Sequence, residues 1–293
     1  MATRKDKLIK IGSTEIDARA EFYENAYDVV EDCRNRSVHI SEYSMTSEKI
    51  KKDWHGVDSY DEALDLLRNG YQPVVDKFRE ELKVQPKDGP RISFSNNIQG
   101  FAPVVPLALK CVPNSMVDMR MKTIKTKVLD VYYDMTSAAY TSPDEFIKAG
   151  KALLASIIEL EKQGYRFNLF AVQSYYEDDS QNTTLDVLCV KIKSSNKPLD
   201  LKRMSFPLTH PAFFRVIGFD WQGKSPITRD IGSGRGYALG YDYNAKELND
   251  IAKKMFGANA CYIPCSNIIK DDYDTKVIKE GFVNVSSNKQ SPD

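Results

Sequence analysis

The stretch Lys127-Val128-Leu129-Asp130-Val131-Tyr132-Tyr133-Asp134, followed by Met135-Thr136-Ser137-Ala138 and by Thr141-Ser142-Pro143-Asp144-Glu145, decides the fold. Val128–Tyr133 is rich in Val and Tyr and predicts a buried strand. It runs into a small polar loop holding Asp134, Thr136 and Ser137. Ser142 then suits a helix N-cap, Pro143 the first helical position, and Glu145 the third residue of a capping box. Phe146, Ile147, Leu153, Leu154, Ile157 and Ile158 recur at helical spacing up to Gly164, where the helix should stop. A strand, a loop and a helix thus follow one another, with a carboxylate and hydroxyls where the strand ends.

Working outward, the downstream chain keeps alternating. Tyr165–Tyr176 reads as a strand, 177–182 as a polar hairpin turn, and Thr184–Lys193 as the returning antiparallel strand. A helical region broken by Pro207 follows, with a stronger helix from Pro211 to Gly223 carrying Phe213, Phe214, Ile217 and Trp221. The glycine-rich loop 231–236, a helix over 244–257, a short strand at Ala260–Ile263 and a last helical turn over 274–280 complete the order. Alternation of this kind predicts an α/β fold with a mostly parallel sheet covered by helices on both faces.

Upstream, residues 1–55 are polar and weakly patterned, with an amphipathic helix candidate at Ala18–Val30. Helices are expected at 59–70, capped by Ser59, and at 73–82. Prolines and a glycine between Lys83 and Pro90 mark a boundary. The expected organisation is a mainly helical N-terminal region (1–90), an irregular connecting segment (91–126), an α/β domain (127–285) and a disordered tail (286–293).

Composition narrows the function classes. In 293 residues, Lys plus Arg equal Asp plus Glu at 41 each, so no global field draws the chain to nucleic acid or an anionic membrane. No apolar run reaches the ~20 residues that span a bilayer. The five cysteines are odd in number and scattered, which predicts free thiols in a reducing compartment. Locally, Lys110, Arg120, Lys122, Lys125 and Lys127 gather positive charge; a solvated face is the simple reading and a nucleic-acid interface the alternative.

Other motifs have bland readings. His210-Pro211 puts an imidazole at a helix start, where a packed or capping His is the simpler role. Cys261 and Cys265 lack a second ligand pair at zinc spacing. Asp186 and Lys191 lack the second acidic residue of a metal-dependent nuclease, because Cys189 stands in its place. Gly232-Ser233-Gly234-Arg235-Gly236 lacks the Gly-Lys-Ser/Thr of a phosphate loop and reads as a surface loop.

A crossover helix followed by an antiparallel hairpin resembles a von Willebrand factor A-like domain. That resemblance implies a divalent cation, Mg²⁺ or Mn²⁺, held by the oxygens of Asp134, Thr136 and Ser137. Ala138 stands where the family has a second serine, Thr209 or Thr228 would supply the later threonine, and Pro264-Cys265-Ser266-Asn267 stands where an aspartate belongs. The implied metal site is therefore degenerate. A second resemblance spans roughly residues 54–220. Trp54-x-Gly56-Val57-x-Ser59, Glu62-Ala63, Gly70, Pro103–Pro106, Pro113–Met116, Leu160-Glu161-x-x-Gly164-Tyr165 and His210-Pro211-Ala212-x-x-Arg215 are similar to an uncharacterised family of tailed-bacteriophage proteins.

Together these imply a phage-encoded, non-catalytic interaction module in the host cytoplasm. A protein partner, phage or host and by analogy an ATPase, would dock at the face holding Asp134–Ser137 and the 225–240 loop, with Thr209, His210 and Arg235 as contacts. A nucleic-acid-binding or -processing protein using the basic 110–127 segment, and a virion structural component, are the alternatives.

Overall fold

Strand β6 (Lys127–Asp134) lies inside a six-stranded sheet with β1 (Thr3–Ile11), β2 (Thr14–Tyr23), β7 (Tyr165–Asp178), β8 (Thr183–Lys193) and β9 (Ala260–Pro264), in the order β1-β2-β8-β7-β6-β9. The structure is a computed structural model and describes residues 2–11, 13–43, 45–82, 91–122, 127–178, 183–229, 235, 238–239 and 243–287. β6 pairs in parallel with β7 on one side and β9 on the other, Asp134 standing opposite Val172 and Pro264. β7 and β8 are antiparallel, β2 and β8 parallel, and β1 and β2 antiparallel. The sheet is therefore mostly parallel, as the alternation of elements predicts.

Helices follow the same chain order: α1 (Ala26–Asn35), α2 (Lys52–His55), α3 (Tyr60–Asn69), α4 (Gln72–Leu82), α5 (Val105–Ala108), α6 (Pro143–Lys162), α7 (Leu201–Thr209), α8 (Phe219–Lys224), α9 (Ala245–Phe256), α10 (Cys265–Lys270) and α11 (Thr275–Ser287). A π-helical segment, Phe213–Gly218, leads directly into α8. Two cores flank the sheet because β6 alternates. Leu129, Val131 and Tyr133 face α6, with Phe146, Leu153, Leu154 and Ile157 packed among them. Tyr132 faces the other layer, where α9 brings Leu248, Ile251 and Ala252 against Ile16, Ala18 and Ala20 of β2. Each fully buried Leu, Ile or Phe contributes roughly 1.5–3 kcal/mol, so α6 is anchored chiefly by this face. Its N-terminus is the expected capping box: Ser142 Oγ accepts from Glu145 N–H, and Glu145 accepts from Ser142 N–H at 2.7 Å.

The N-terminal region departs from the helical expectation. Residues 3–23 form the β1–β2 hairpin, and β2 extends the main sheet by pairing with β8, Ile16 opposite Thr183 and Tyr23 opposite Val190. The cause is an alternation written in small residues: Ile16, Ala18 and Ala20 point into the core while Glu15 and Asp17 face solvent. β1 is an outer edge strand whose Lys and Arg side chains are exposed, which hides its period. The expected amphipathic segment divides between β2 and α1, where Asn25 caps the helix.

The segment expected to be irregular holds a small sheet of its own. β3 (Arg91–Asn97), β4 (Ala102–Pro103) and β5 (Met116–Lys122) lie in the order β3-β5-β4. Phe94, Ile98, Phe101, Val105, Leu109 and Met119 here are exposed, and among the described residues none between Phe78 and Leu129 belongs to a core. All five cysteines are free, and all but Cys111 are buried. Among the described residues no helix is long and apolar enough to cross a membrane.

Candidate functional site

The end of β6 carries a sealed carboxylate. Asp134 is fully buried; its Oδ1 accepts from Thr136 N–H at 2.9 Å, and its Oδ2 accepts short hydrogen bonds from the hydroxyls of Ser174 on β7 and Tyr262 on β9. Thr136 Oγ1 in turn accepts from Ser174 N–H at 2.8 Å. Burial pushes the carboxyl above its ordinary range, and the three donors act against that rise. The network ties three adjacent strands together at one end.

Those donors decide how well the site fits a cation. A hard divalent ion needs several oxygen lone pairs pointing at one place. Here both Asp134 oxygens are already engaged by protein groups. Ser137 Oγ is turned to Thr141 Oγ1 at 2.7 Å. Thr209 donates to the Ser205 carbonyl at 2.7 Å, and Thr228 to the Gln222 and Ser225 carbonyls, also at 2.7 Å. The candidate ligands are thus split between separate hydrogen-bond systems, and the residues do not fit Mg²⁺ or Mn²⁺ as arranged.

Beside the sealed end stands a buried arginine. The π-helical segment places Arg215 with 0 % exposure, where Nη1 donates to the Trp54 carbonyl at 2.5 Å and Nη2 to the Thr141 carbonyl at 2.7 Å. Its guanidinium lies 4.1 Å from the Trp54 ring centre and 4.8 Å from that of Phe146. Among the described residues its Nε has no hydrogen-bond partner. Burial lowers its pKa to about 10, still leaving it charged. Trp54 Nε1 donates to the Ala139 carbonyl at 2.6 Å. Trp54 and Arg215 together clamp the loop after β6, and that loop presents Tyr140 at 85 % exposure.

On the other side of Trp54 opens a crevice of about 420 Å³, lined by Met45, Lys49, Lys51, Trp54, His55, Phe219 and Arg235. Arg235 is stacked 4.1 Å over the Phe219 ring and held by the Tyr43 carbonyl (2.8 Å) and Gln222 Oε1 (3.2 Å). Burial lowers the pKa of Arg235, and burial together with the charges of Arg215, Arg235 and Lys51 lowers that of His55. No aspartate or glutamate is among the described lining residues. The crevice is cationic with aromatic walls.

The remaining sequence candidates fall elsewhere. His210 is buried, accepts from Ala212 N–H at 3.2 Å through Nδ1, and packs on Tyr71. Burial pushes its pKa down to about 4, so the imidazole is a neutral cap. Thr209 is buried in α7. Of the basic set, Lys110 is exposed after α5, Arg120 and Lys122 belong to β5, and Lys127 starts β6 at the end opposite Asp134. Lys125 and most of the glycine-rich loop lie outside the described residues. Sequence reasoning assigned Arg235 to a partner-docking face and gave no role to Lys51, His55 or Phe219; the structure places Arg235 in the crevice.

Two motifs far apart in the chain meet here. Gly56 ends α2 at φ +77°, and a Cβ on it would stand 2.8 Å from His210 Cε1. Only glycine suits both the backbone and the space. Trp54-x-Gly56 therefore seats on His210-Pro211-Ala212-x-x-Arg215 at both of its ends.

A mostly parallel six-stranded α/β sheet, with a sealed carboxylate on an inner strand and a cationic crevice beside it, defines an architecture rather than a reaction. The chain belongs to the family described as a domain of unknown function (DUF7192), whose model matches residues 12–285. Comparison with curated proteins and with solved structures finds no match.

Proposed function

We propose that the chain is a phage-encoded, non-catalytic protein-interaction module of degenerate von Willebrand factor A type, docking a protein partner beyond the carboxyl end of β6. The observation that supports this is the clamped loop. Arg215 and Trp54 fix the backbone of Ala139 and Thr141, and Tyr140 between them stands in solvent. A rigidly presented aromatic brings contact area at little entropic cost, and open α/β sheets use this end for recognition. By analogy with the resembled superfamily, the partner is an ATPase or another phage protein. The closed shell of Asp134 supports docking without a divalent cation.

Affinity purification from infected cells, comparing wild type with Tyr140→Ala, tests the reading. A discrete partner retained by wild type and lost by the variant is expected; identical recovery by both overturns it. Calorimetry with Mg²⁺ and Mn²⁺ on wild type and Asp134→Ala tests the cation: binding by wild type alone would restore a metal to the docking face.

A second reading, a virion structural component, draws on the exposed apolar residues of 91–122, since large exposed patches mark assembly surfaces. Finding the chain in purified particles would favour it.

A further inference from the structure

We infer that the apolar face of the β3-β5-β4 sheet is a self-association surface, closed by the same face of a second copy of this chain. The register of the sheet sorts its residues by chemistry. Phe94 stands directly opposite Met119, Asn96 opposite Val117, and Val117 is paired on its other side with Ala102. Directly opposed residues of an antiparallel pair share a face, so Phe94, Met119, Val117 and Ala102 lie together. Phe101 joins them, its ring centre 6.3 Å from that of Phe94. Ser95 and Asp118 are paired at the alternate positions, and Arg91, Arg120 and Lys122 stand in step with them. The sheet thus has one apolar face and one polar face.

A sheet of this kind is half of a layered unit. The body of the chain does not supply the other half: Phe94, Phe101 and Met119, with the flanking Ile98, Val105 and Leu109, are each more than half exposed. An uncharged surface is matched by another uncharged surface. Of the thirteen large apolar side chains exposed among the described residues, seven fall between Phe94 and Met119, and the other six come from six separate segments. In a solution of this chain the matching surface is therefore the same sheet of a second copy. The seven leave on the order of 800 Å² in water, about what each partner buries in a standard interface. Two such sheets packed face to face form a sandwich that closes on itself through a two-fold axis. A single strand of nucleic acid fits less well. Its stacking platforms carry cations beside their aromatic rings, whereas here the strand cations and Phe94 hold alternate register positions. The dimer rests on the exposed patch of the virion reading, but either can fail alone: a monomer recovered in particles sinks the dimer, and a dimer absent from particles sinks the virion reading.

Sedimentation velocity on the full chain tests it. A dimer is expected at micromolar concentration, held or tightened as salt is raised, because the contact is apolar and salt screens the cations the two sheets carry. Phe94→Asp combined with Met119→Asp should weaken the dimer at least tenfold without lowering the melting temperature of the body, since neither residue belongs to a core. Ser95→Asp, an exposed position on the opposite face of the same strand, should leave the dimer intact. A monomer throughout the micromolar range, a dimer that dissociates as salt rises, equal weakening by Ser95→Asp, or a monomer that binds single-stranded DNA through Phe94 would overturn it.

Discussion

The guanidinium of Arg215 lies over the Trp54 ring at 4.1 Å and donates a 2.5 Å hydrogen bond to the carbonyl of that same residue. One side chain thus grips both the ring and the backbone of its partner, with a third contact to Thr141. Lysine keeps the charge but has neither the fork nor the flat face. Arg215→Lys should therefore cost roughly 2–4 kcal/mol, from the loss of the two-carbonyl grip and of the flat cation–π contact. Urea denaturation measures the loss, and faster amide exchange over 139–142 should accompany it.

Asp134 gives a graded pair of outcomes. Asp134→Ala strands the buried hydroxyls of Ser174 and Tyr262 and should destabilise by about 3 kcal/mol. Asp134→Asn keeps an acceptor oxygen, and a hydroxyl can rotate to accept from the new amide, so about 1 kcal/mol is expected. Equal losses in the two variants, read by chemical denaturation, would contradict the sealed network.

The neutral state of His210 predicts acid sensitivity. Burial holds its folded pKa at about 4, against about 6.5 when unfolded. Below pH 6.5 the unfolded chain binds a proton that the fold refuses until pH 4, so stability is lost as pH falls through this window. The loss between pH 7 and 5 should be about 2 kcal/mol. His210→Asn, which can still accept from Ala212 N–H, should lose that much less between the same two pH values in parallel melts.

Gly150 marks the close crossing of α6 and α7. A Cβ there would stand 2.2 Å from the Leu208 carbonyl and 2.5 Å from Thr209 Cα, both backbone atoms that cannot step aside alone. Gly150→Ala should cost roughly 1–3 kcal/mol or more despite alanine's better helix propensity. Lys148→Ala, at an exposed position of the same helix, should stay within about 0.5 kcal/mol. Thermal melts of the two side by side decide it.

Where local signals were strong, the sequence foretold the structure closely. Ser142, Pro143 and Glu145 start α6, Asn244 caps α9, and the Val128–Tyr133 run is the body of a strand paired on both sides. The N-terminal strands were hidden because alanines fill their core-facing positions and lysines cover the edge; such residues carry no strand propensity. At the site, Asp134 and Thr136 were legible as an end-of-strand pair, whereas the donors that seal them, Ser174 and Tyr262, come from other strands. Arg215 and Trp54 sit 161 residues apart, and their meeting depends on a wide π-helical turn that no local pattern announces.

The pairing of β2 with β8 also sets a timetable. Residues 14–23 find their neighbour only at 183–193, so during synthesis the leading hairpin must wait for some 160 further residues, roughly 10–30 s of translation. Through that delay the nascent chain exposes an unclosed strand, and the charged outer edge of β1 keeps it from annealing to its neighbours on the polysome. The β1–β2 hairpin is made long before the strand that stitches it into the sheet.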